Sequence, residues 1–137
     1  MNDILETPYE GATDSRIAAG SHRILVVDDN VDAATSLAML LELDGHDTRV
    51  AHSGIDALAA VTAFAPHVVF LDIGLPDLSG YDVARRLRSM AGLETRPRLI
   101  ALTGWGQAED RLRSREAGFD AHLVKPVDPA ELGAALD

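Results

Sequence analysis

The sequence contains no cysteine, and this absence excludes disulfide frameworks, thiolate zinc sites and cysteine nucleophiles together. No stretch approaches the roughly 18 uninterrupted apolar residues that a membrane-spanning helix needs. Residues 1–21 also lack the basic start and the apolar block of a signal peptide. These absences together predict a cytoplasmic protein with no membrane segment.

Basic residues are scarce as well, because 12 Lys and Arg stand against 22 Asp and Glu, for a formal net charge of -10. The summed field of such a chain repels nucleic-acid phosphates and anionic membrane surfaces. The composition therefore predicts neither nucleic acid nor a membrane as a partner. Lys125 is the single lysine, which is due either to chance or to a position where a compact ammonium group is needed and the planar group of Arg does not serve.

The length and composition predict one compact domain with a tail. The chain has 137 residues, 47% of them hydrophobic and 25% charged, so it can form one core but not two. Residues 1–22 are short of apolar side chains and show neither a strand period nor a helix period, which predicts a flexible N-terminal tail. Residues 23–137 are predicted to form the domain.

Short apolar runs alternate with helical patterns along the predicted domain. Four runs have strand length and no polar face, as parallel strands buried on both sides do: 24–27, 68–71, 99–102 and 121–124. A fifth run, 48–51, carries Arg49 and is predicted as an edge strand. The segments between the runs carry helix signals, which predict five helices beginning near Asn30, Ser53, Ser79, Gln107 and Asp128. Five βα units predict an α/β fold, an open parallel sheet with helices on both faces.

Polar residues directly follow four of the five runs. Asp28 and Asp29 follow run 24–27, Asp72 follows run 68–71, Thr103 follows run 99–102 and Lys125 follows run 121–124. Taken singly, each has an ordinary interpretation as a helix cap, a turn former or a solvated side chain. Taken together, they are predicted at one edge of the sheet, which is where such folds bind ligands.

The chemistry of this set favours phosphoryl transfer. If the first and third strands are neighbours, three carboxylates converge, and they must either raise a pKa or hold a cation. Mg²⁺ suits them, since it prefers oxygen ligands and keeps water positions open for phosphate. An ammonium on the far side completes a clamp for a phosphoryl group, with an Asp as the nucleophile that forms an aspartyl phosphate.

Four ordered motifs carry a resemblance to a known family: ILVVDDN, VVFLDIGLPDLSGYD, LIALTG and HLVKP. From residue 23 to about 136 the chain resembles the receiver (CheY-like) domain of two-component response regulators, and residues 101–129 look most like the receivers of hybrid histidine kinases. The resemblance implies a flavodoxin-like, doubly wound sheet in the order 2-1-3-4-5 with five helices on two faces. It also implies a phosphoacceptor signalling domain. Only residues 127–137 follow the last motif, which predicts that no output domain is attached.

The resemblance implies the phosphoryl chemistry in detail. Asp72 is the implied phosphoacceptor, while Thr103 and Lys125 are the implied partners of the phosphoryl oxygens. The phosphoryl group is implied to come from a phosphohistidine on a histidine kinase or a histidine phosphotransfer protein and to be lost to water, so the chain is expected to modify itself and not to act as an enzyme on a separate substrate. The bond between Lys125 and Pro126 is implied to be cis.

The resemblance also implies a magnesium site and a target surface. Asp29, Asp72 and the backbone carbonyl of Gly74 are the implied Mg²⁺ ligands, with Asp28 acting mainly through a water. A downstream protein target is expected on the face formed by the fourth helix, the fifth strand and the fifth helix.

Two positions depart from the family pattern or add to it. His122 stands where the family has an aromatic residue that switches rotamer together with Thr103, so it is either a switch residue or a partly exposed His without that role. Trp105 lies between Gly104 and Gly106, and its fluorescence is predicted to change when Mg²⁺ or a phosphoryl mimic binds. The start at Met1 with a tail favours a stand-alone relay protein over an excised module.

Three other functions are weighed on the same residues. A Mg²⁺-dependent phosphoaspartate hydrolase for small molecules would need a second acid two residues after its nucleophile, where Gly74 stands instead. A nucleotide-binding protein would need a phosphate-cradling glycine motif that the sequence lacks. An unphosphorylated docking domain that kept the fold would not need the complete set of acids, Thr and Lys.

Overall fold

The computed structural model describes residues 21–90, 92–93, 96–104 and 108–136. These residues include five strands: β1 (Arg23–Val27), β2 (Asp47–Ala51), β3 (Val68–Asp72), β4 (Arg98–Thr103) and β5 (Ala121–Val124). They also include five helices: α1 (Val31–Leu43), α2 (Gly54–Phe64), α3 (Gly80–Ser89), α4 (Ala108–Ala117) and α5 (Pro129–Leu136). Trp105 and residues 1–20 of the predicted tail lie outside the described residues.

The strands form one parallel sheet in the order β2-β1-β3-β4-β5. This is the predicted α/β fold with the implied strand order. The register places Val27 of β1 opposite Leu71 of β3, so the next residues, Asp28 after β1 and Asp72 at the end of β3, come side by side. The topology therefore brings the first and third strands together, which is the condition for the predicted acid site.

Two apolar cores cover the two faces of the sheet. Phe70 and Leu71 are both fully buried, and they face opposite sides because side chains alternate along a strand. Phe70 packs in the core formed with α1 and α5, and Leu71 packs in the core formed with α2, α3 and α4. Burying each such side chain stabilises the fold by about 1.5–3 kcal/mol. The central strands, and with them the residues at their carboxyl ends, are therefore held in place by both cores.

The caps predicted from the sequence are present at the first three helices. The side-chain oxygens of Asn30, Ser53 and Ser79 each accept a hydrogen bond from the backbone N–H three residues on, at 3.1 Å. Each bond satisfies an N–H group that the first turn of a helix leaves without a partner. The first turns of these three helices therefore start at points fixed by their caps.

The two edge strands differ from the sequence prediction in one respect. β2 is at one edge, as predicted, and β5 is at the other. The prediction that β5 is buried on both sides is wrong, because all four of its residues are only half-buried. A strand at the edge of the sheet is paired on one side only, and its apolar sequence does not reveal this position.

In the described part of the chain, no helix combines the length and the apolar character needed to cross a membrane.

Candidate functional site

Three acidic side chains lie together at the carboxyl ends of β1 and β3. Asp28 follows β1 and is buried, with 2% of its surface exposed, while Asp72 ends β3 and is half-buried. Asp29 is exposed. One carboxylate oxygen of each residue lies within 4.8 Å of those of the other two. The structure thus brings together the three acids that the sequence places after these strands.

Lys125 joins two of these acids. Its Nζ donates hydrogen bonds to Asp28 Oδ2 and to Asp72 Oδ2, each at 2.9 Å. The residue follows β5, so its side chain crosses the end of β4 to reach β3 and β1. The backbone N–H of Lys125 donates to the carbonyl of Thr103 at 2.7 Å, and the Lys125–Pro126 bond is cis, as the family resemblance implies.

The two carboxylates that contact Lys125 are held in the same way. Asp28 Oδ1 accepts from the backbone N–H of Asn30 at 3.0 Å, and Asp72 Oδ1 accepts from that of Gly74 at 2.9 Å. Each Asp therefore uses one oxygen for the backbone two residues ahead and the other for the ammonium of Lys125. This local turn is typical of Asp and fixes the side-chain rotamer before any ligand arrives.

The surroundings shift the pKa values of the Asp28 and Asp72 carboxyl groups in opposite directions. Burial raises the pKa of Asp72, and this effect outweighs the opposing hydrogen bonds from Lys125 and Gly74. Burial also raises the pKa of Asp28, but the hydrogen bonds from Lys125 and Asn30 outweigh it, so that this pKa lies below the ordinary value. The pKa of Lys125 is raised, since its hydrogen bonds to the two acids outweigh the effect of its burial. Asp72 is thus the more basic carboxylate, beside an ammonium that stays charged.

Thr103 supplies a buried hydroxyl to the same edge. It ends β4 and is 6% exposed. Within the described part of the chain, its Oγ1 has no hydrogen-bond partner. Leaving a buried polar group without a partner costs about 1–3 kcal/mol, so the hydroxyl of Thr103 is available to donate to a group bound at this edge.

The comparisons with known proteins identify this arrangement. The family described as the response regulator receiver domain matches residues 24–137. The chain belongs to this family. Receiver domains are phosphoacceptor signalling domains of two-component systems, and they bind Mg²⁺ in an acidic pocket.

Two relatives show the extent of the sequence similarity. The receiver is 38% identical over 109 residues to an uncharacterised 14.6 kDa protein of Leptolyngbya boryana, with 80% of this chain and 82% of that protein covered. It is 39% identical over 114 residues to the DNA-binding response regulator MtrA of Mycolicibacterium paratuberculosis, with 83% of this chain and 49% of MtrA covered. The chain therefore spans about half the length of MtrA.

One similar solved structure is the receiver domain of a sensor histidine kinase of Pseudomonas aeruginosa, with a magnesium ion coordinated in its active-site cleft. It is 30% identical to this receiver, with a TM-score of 0.76, and the match covers 85% of this chain and 94% of that chain. The donor set of this receiver fits the same kind of ion, because three clustered carboxylate groups, one of them exposed, are the oxygen ligands that Mg²⁺ prefers.

Two positions between the end of β3 and the start of α3 make contacts that the sequence analysis missed. Asp77 accepts hydrogen bonds from the first two backbone N–H groups of α2, and these bonds lower its pKa to about 2. Gly80 begins α3 so close to β3 that an added Cβ would lie 2.6 Å from the carbonyl oxygen of Asp72 and 2.6 Å from the Cα of Ile73. Asp77 follows neither a strand end nor a helix signal, and although Ser79 predicts the start of α3, it gives no sign that Gly80 lies against the end of β3.

A third missed residue contacts the backbone of the acid site. His52 Nδ1 lies 2.9 Å from the carbonyl oxygen of Asp28. A carbonyl oxygen only accepts, so this nitrogen carries the proton of the bond. The backbone N–H of Asp28 donates to the carbonyl of Ala51 at 3.0 Å. The end of β2 thus holds the main chain of Asp28 on both sides.

The structure places His122 apart from the acids. It lies on β5 opposite Ala101, half-buried, and lines a cavity of about 230 Å³ with Ser114 and Arg115 of α4. His122 is three residues before Lys125 and faces the helix rather than the acid cluster. Its predicted switch role stays a prediction.

Proposed function

We propose that this receiver accepts a phosphoryl group on Asp72 from a phosphohistidine of a histidine kinase or a histidine phosphotransfer protein, and that it does so in the cytoplasm with Mg²⁺. The observation that carries the proposal is the contact of one ammonium with two carboxylates, at 2.9 Å each, beside a third carboxylate. An isolated helix cap or surface ion pair would not bring together two carboxylates and an ammonium from the ends of β1, β3 and β5.

The transfer follows from the atoms at the site. A carboxylate oxygen of Asp72 attacks the phosphorus, the bond between phosphorus and the imidazole nitrogen breaks, and its electron pair returns to the imidazole. Lys125 neutralises charge on the phosphoryl oxygens, and Asp28 keeps the ammonium in place once Asp72 is modified. The hydroxyl of Thr103 donates to a phosphoryl oxygen, which gives this buried group its partner.

The proposed cation ligands are Asp29, Asp72 and the backbone carbonyl of Gly74, with Asp28 acting mainly through a water. When bound, Mg²⁺ offsets the negative charge that the carboxylates and the phosphoryl oxygens share. The cluster within 4.8 Å and the magnesium ion in the Pseudomonas receiver support this assignment.

The cycle closes by hydrolysis. Water attacks the phosphorus of the aspartyl phosphate, the acyl–phosphate bond breaks, and the products are the Asp72 carboxylate and inorganic phosphate. The receiver therefore catalyses its own modification and turns over no separate substrate.

Two surfaces are proposed for the protein partners. A groove of about 420 Å³ runs from Asp28 and Lys125 along apolar side chains of α1, Leu37 and Leu40 among them, and we assign it to a helix of the phosphohistidine donor. The donor must reach Asp72, and the groove is lined by Lys125, whose Nζ contacts Asp72 at 2.9 Å. The downstream target is assigned to the face of α4, β5 and α5, where Leu112 is 54% exposed.

The test is labelling by a small phosphodonor. Acetyl phosphate and Mg²⁺ are expected to phosphorylate the receiver, Asp72→Asn is expected to abolish the labelling, and a chelator is expected to suppress it. Asp82→Asn is the matched control, because Asp82 is an exposed acid on α3 that pairs only with Arg85 among the described residues. Equal labelling of the Asp72 variant and the wild type would rule out Asp72 as the acceptor.

A further inference from the structure

The loop between β3 and α3 is held by hydrogen bonds at both of its ends and in its middle. Its first residues are held because the backbone N–H of Gly74 donates to Asp72 Oδ1 at 2.9 Å. Its far end is held because the backbone N–H of Gly80, the first residue of α3, donates to the carbonyl of Ile73 at 2.8 Å. Asp77, in the middle of the loop, supplies the third attachment.

Asp77 binds the start of a different helix. Its Oδ1 accepts from the backbone N–H of Gly54 at 2.8 Å, and its Oδ2 accepts from that of Ile55 at 3.0 Å. Ser53 Oγ already accepts from the N–H of Asp56, so the first three N–H groups of α2 all have partners. A carboxylate is also favoured at this end of a helix by the helix dipole.

The loop and the helix are in close contact at this point. A Cβ at Gly54 would lie 2.9 Å from Leu78 Cβ and 2.9 Å from Val83 Cγ2, so α2 approaches the loop and α3 more closely than a larger residue would permit. Helix α2 packs in the buried core through Ala57 and Val61. It is therefore a rigid support for the loop.

We infer that Asp77 is a positioning residue for the cation site: it ties the loop that carries Gly74 to α2 and so fixes the Gly74 carbonyl. This inference rests on the proposed function, in which that carbonyl is a ligand of Mg²⁺. Asp77 lies only three residues from Gly74. Without its two bonds the loop loses its hydrogen bonds to α2 and keeps its end attachments and the packing of Leu75 and Leu78 against the core. Groups that orient a metal ligand affect the affinity of the site although they never touch the ion.

The test separates positioning from helix capping. Mg²⁺ alone is the probe, and its dissociation constant is measured by titration calorimetry on the full chain, with the urea midpoint measured in parallel. Asp77→Ala is expected to weaken Mg²⁺ binding by about tenfold, at the lower end of the effects seen for groups that orient metal ligands. Asp77→Asn keeps one accepting oxygen, so a smaller loss is expected.

Ser53→Ala is the matched control. It removes a cap from the same end of α2 and leaves the bonds of Asp77 in place, so it is expected to lower the urea midpoint without changing Mg²⁺ affinity. The inference is overturned if the Asp77 variants bind Mg²⁺ as the wild type does, or if Ser53→Ala weakens binding equally. Should Asp77→Ala not fold, Asp77→Asn decides by the same comparison.

The failure of the proposed function has a different signature. A wild-type protein that binds no Mg²⁺ at all would overturn the proposed site together with this inference. A wild type that binds Mg²⁺, with Asp77 variants that bind it equally well, would overturn the role of Asp77 alone.

Discussion

Replacing Lys125 by Met removes the ammonium and keeps a side chain of similar length. Its two ion pairs, at 2.9 Å to Asp28 and to Asp72, would each be worth about 4 kcal/mol with an effective dielectric constant near 20 and charge centres about 4 Å apart. Relief of the ammonium's own desolvation offsets part of this attraction, whereas Asp28 remains buried in the variant. Because the Lys side chain is 31% exposed, solvent screening reduces it further, and a net loss of about 2 kcal/mol remains.

The same substitution is expected to strengthen cation binding. The ammonium and Mg²⁺ compete for the field of the same three carboxylates, so removing one positive charge favours the other. We expect Mg²⁺ affinity to rise by about tenfold, which is about 1.4 kcal/mol, while phosphorylation by acetyl phosphate is lost. The Lys125→Met protein is thus less stable in chelator and is stabilised more by Mg²⁺ than the wild type.

The assay is urea unfolding followed by circular dichroism, in chelator and in Mg²⁺, with slopes compared to exclude a change in the unfolded state. The raised pKa of Lys125 means that its contribution is fully present at neutral pH and is lost only as the pH rises through the folded-state pKa. Arg85→Met, which breaks an exposed pair at 3.1 Å, is the control and should change the free energy of unfolding by less than about 0.5 kcal/mol. A Lys125 variant as stable as the wild type in chelator, or one with weaker Mg²⁺ binding, would refute the reasoning.

Two further predictions concern backbone packing and pH. Gly80→Ala should destabilise the fold by about 1–3 kcal/mol, because its Cβ would meet backbone atoms at 2.6 Å. Gly133→Ala is the control: a Cβ there has open space, so the change should be neutral or stabilise α5 by up to about 1 kcal/mol. Equal urea midpoints for the two variants would contradict this prediction. The pKa values of His46 and His67 are lowered, first by burial and then by neighbouring positive charge. Their Nδ1 atoms accept backbone N–H bonds at 3.0 and 2.9 Å. The contribution of these two residues to the free energy of unfolding should therefore be full above the ordinary pKa of 6.5 and fall as the pH drops through the lowered pKa values. Replacing both by Asn, which accepts but does not titrate, should flatten the pH profile of the urea midpoint, and an unchanged slope would contradict the assignment.

The features that the sequence predicted correctly are local ones. Apolar runs gave the strands, and a polar residue before an apolar stripe gave the caps at Asn30, Ser53 and Ser79. The acid set could be predicted because parallel strands place all their carboxyl ends at one edge, so that a residue's position after a strand fixes its place in the sheet.

The features that the sequence did not predict depend on which distant segments meet. Asp77 and Gly54 are 23 residues apart, and nothing near Asp77 indicates that a helix start lies beside it. The exposure of β5 depends on its place at the edge of the sheet, which an apolar run does not encode. Ala65, directly after α2, has a φ of 51°, where glycine is usual. Arg23 of β1 donates to its carbonyl at 2.7 Å, and this contact between distant segments could not be predicted from the local sequence.

The most direct test of the central claim is to find the atom that carries the phosphoryl group. After incubation with acetyl phosphate and Mg²⁺, borohydride reduction converts an acyl phosphate to an alcohol, and mass spectrometry of the peptides locates the change. We predict a single reduced residue at Asp72, present with Mg²⁺ and absent with chelator. Reduction at another acid, or phosphate found on a hydroxyl or an imidazole with Asp72 intact, would contradict the account.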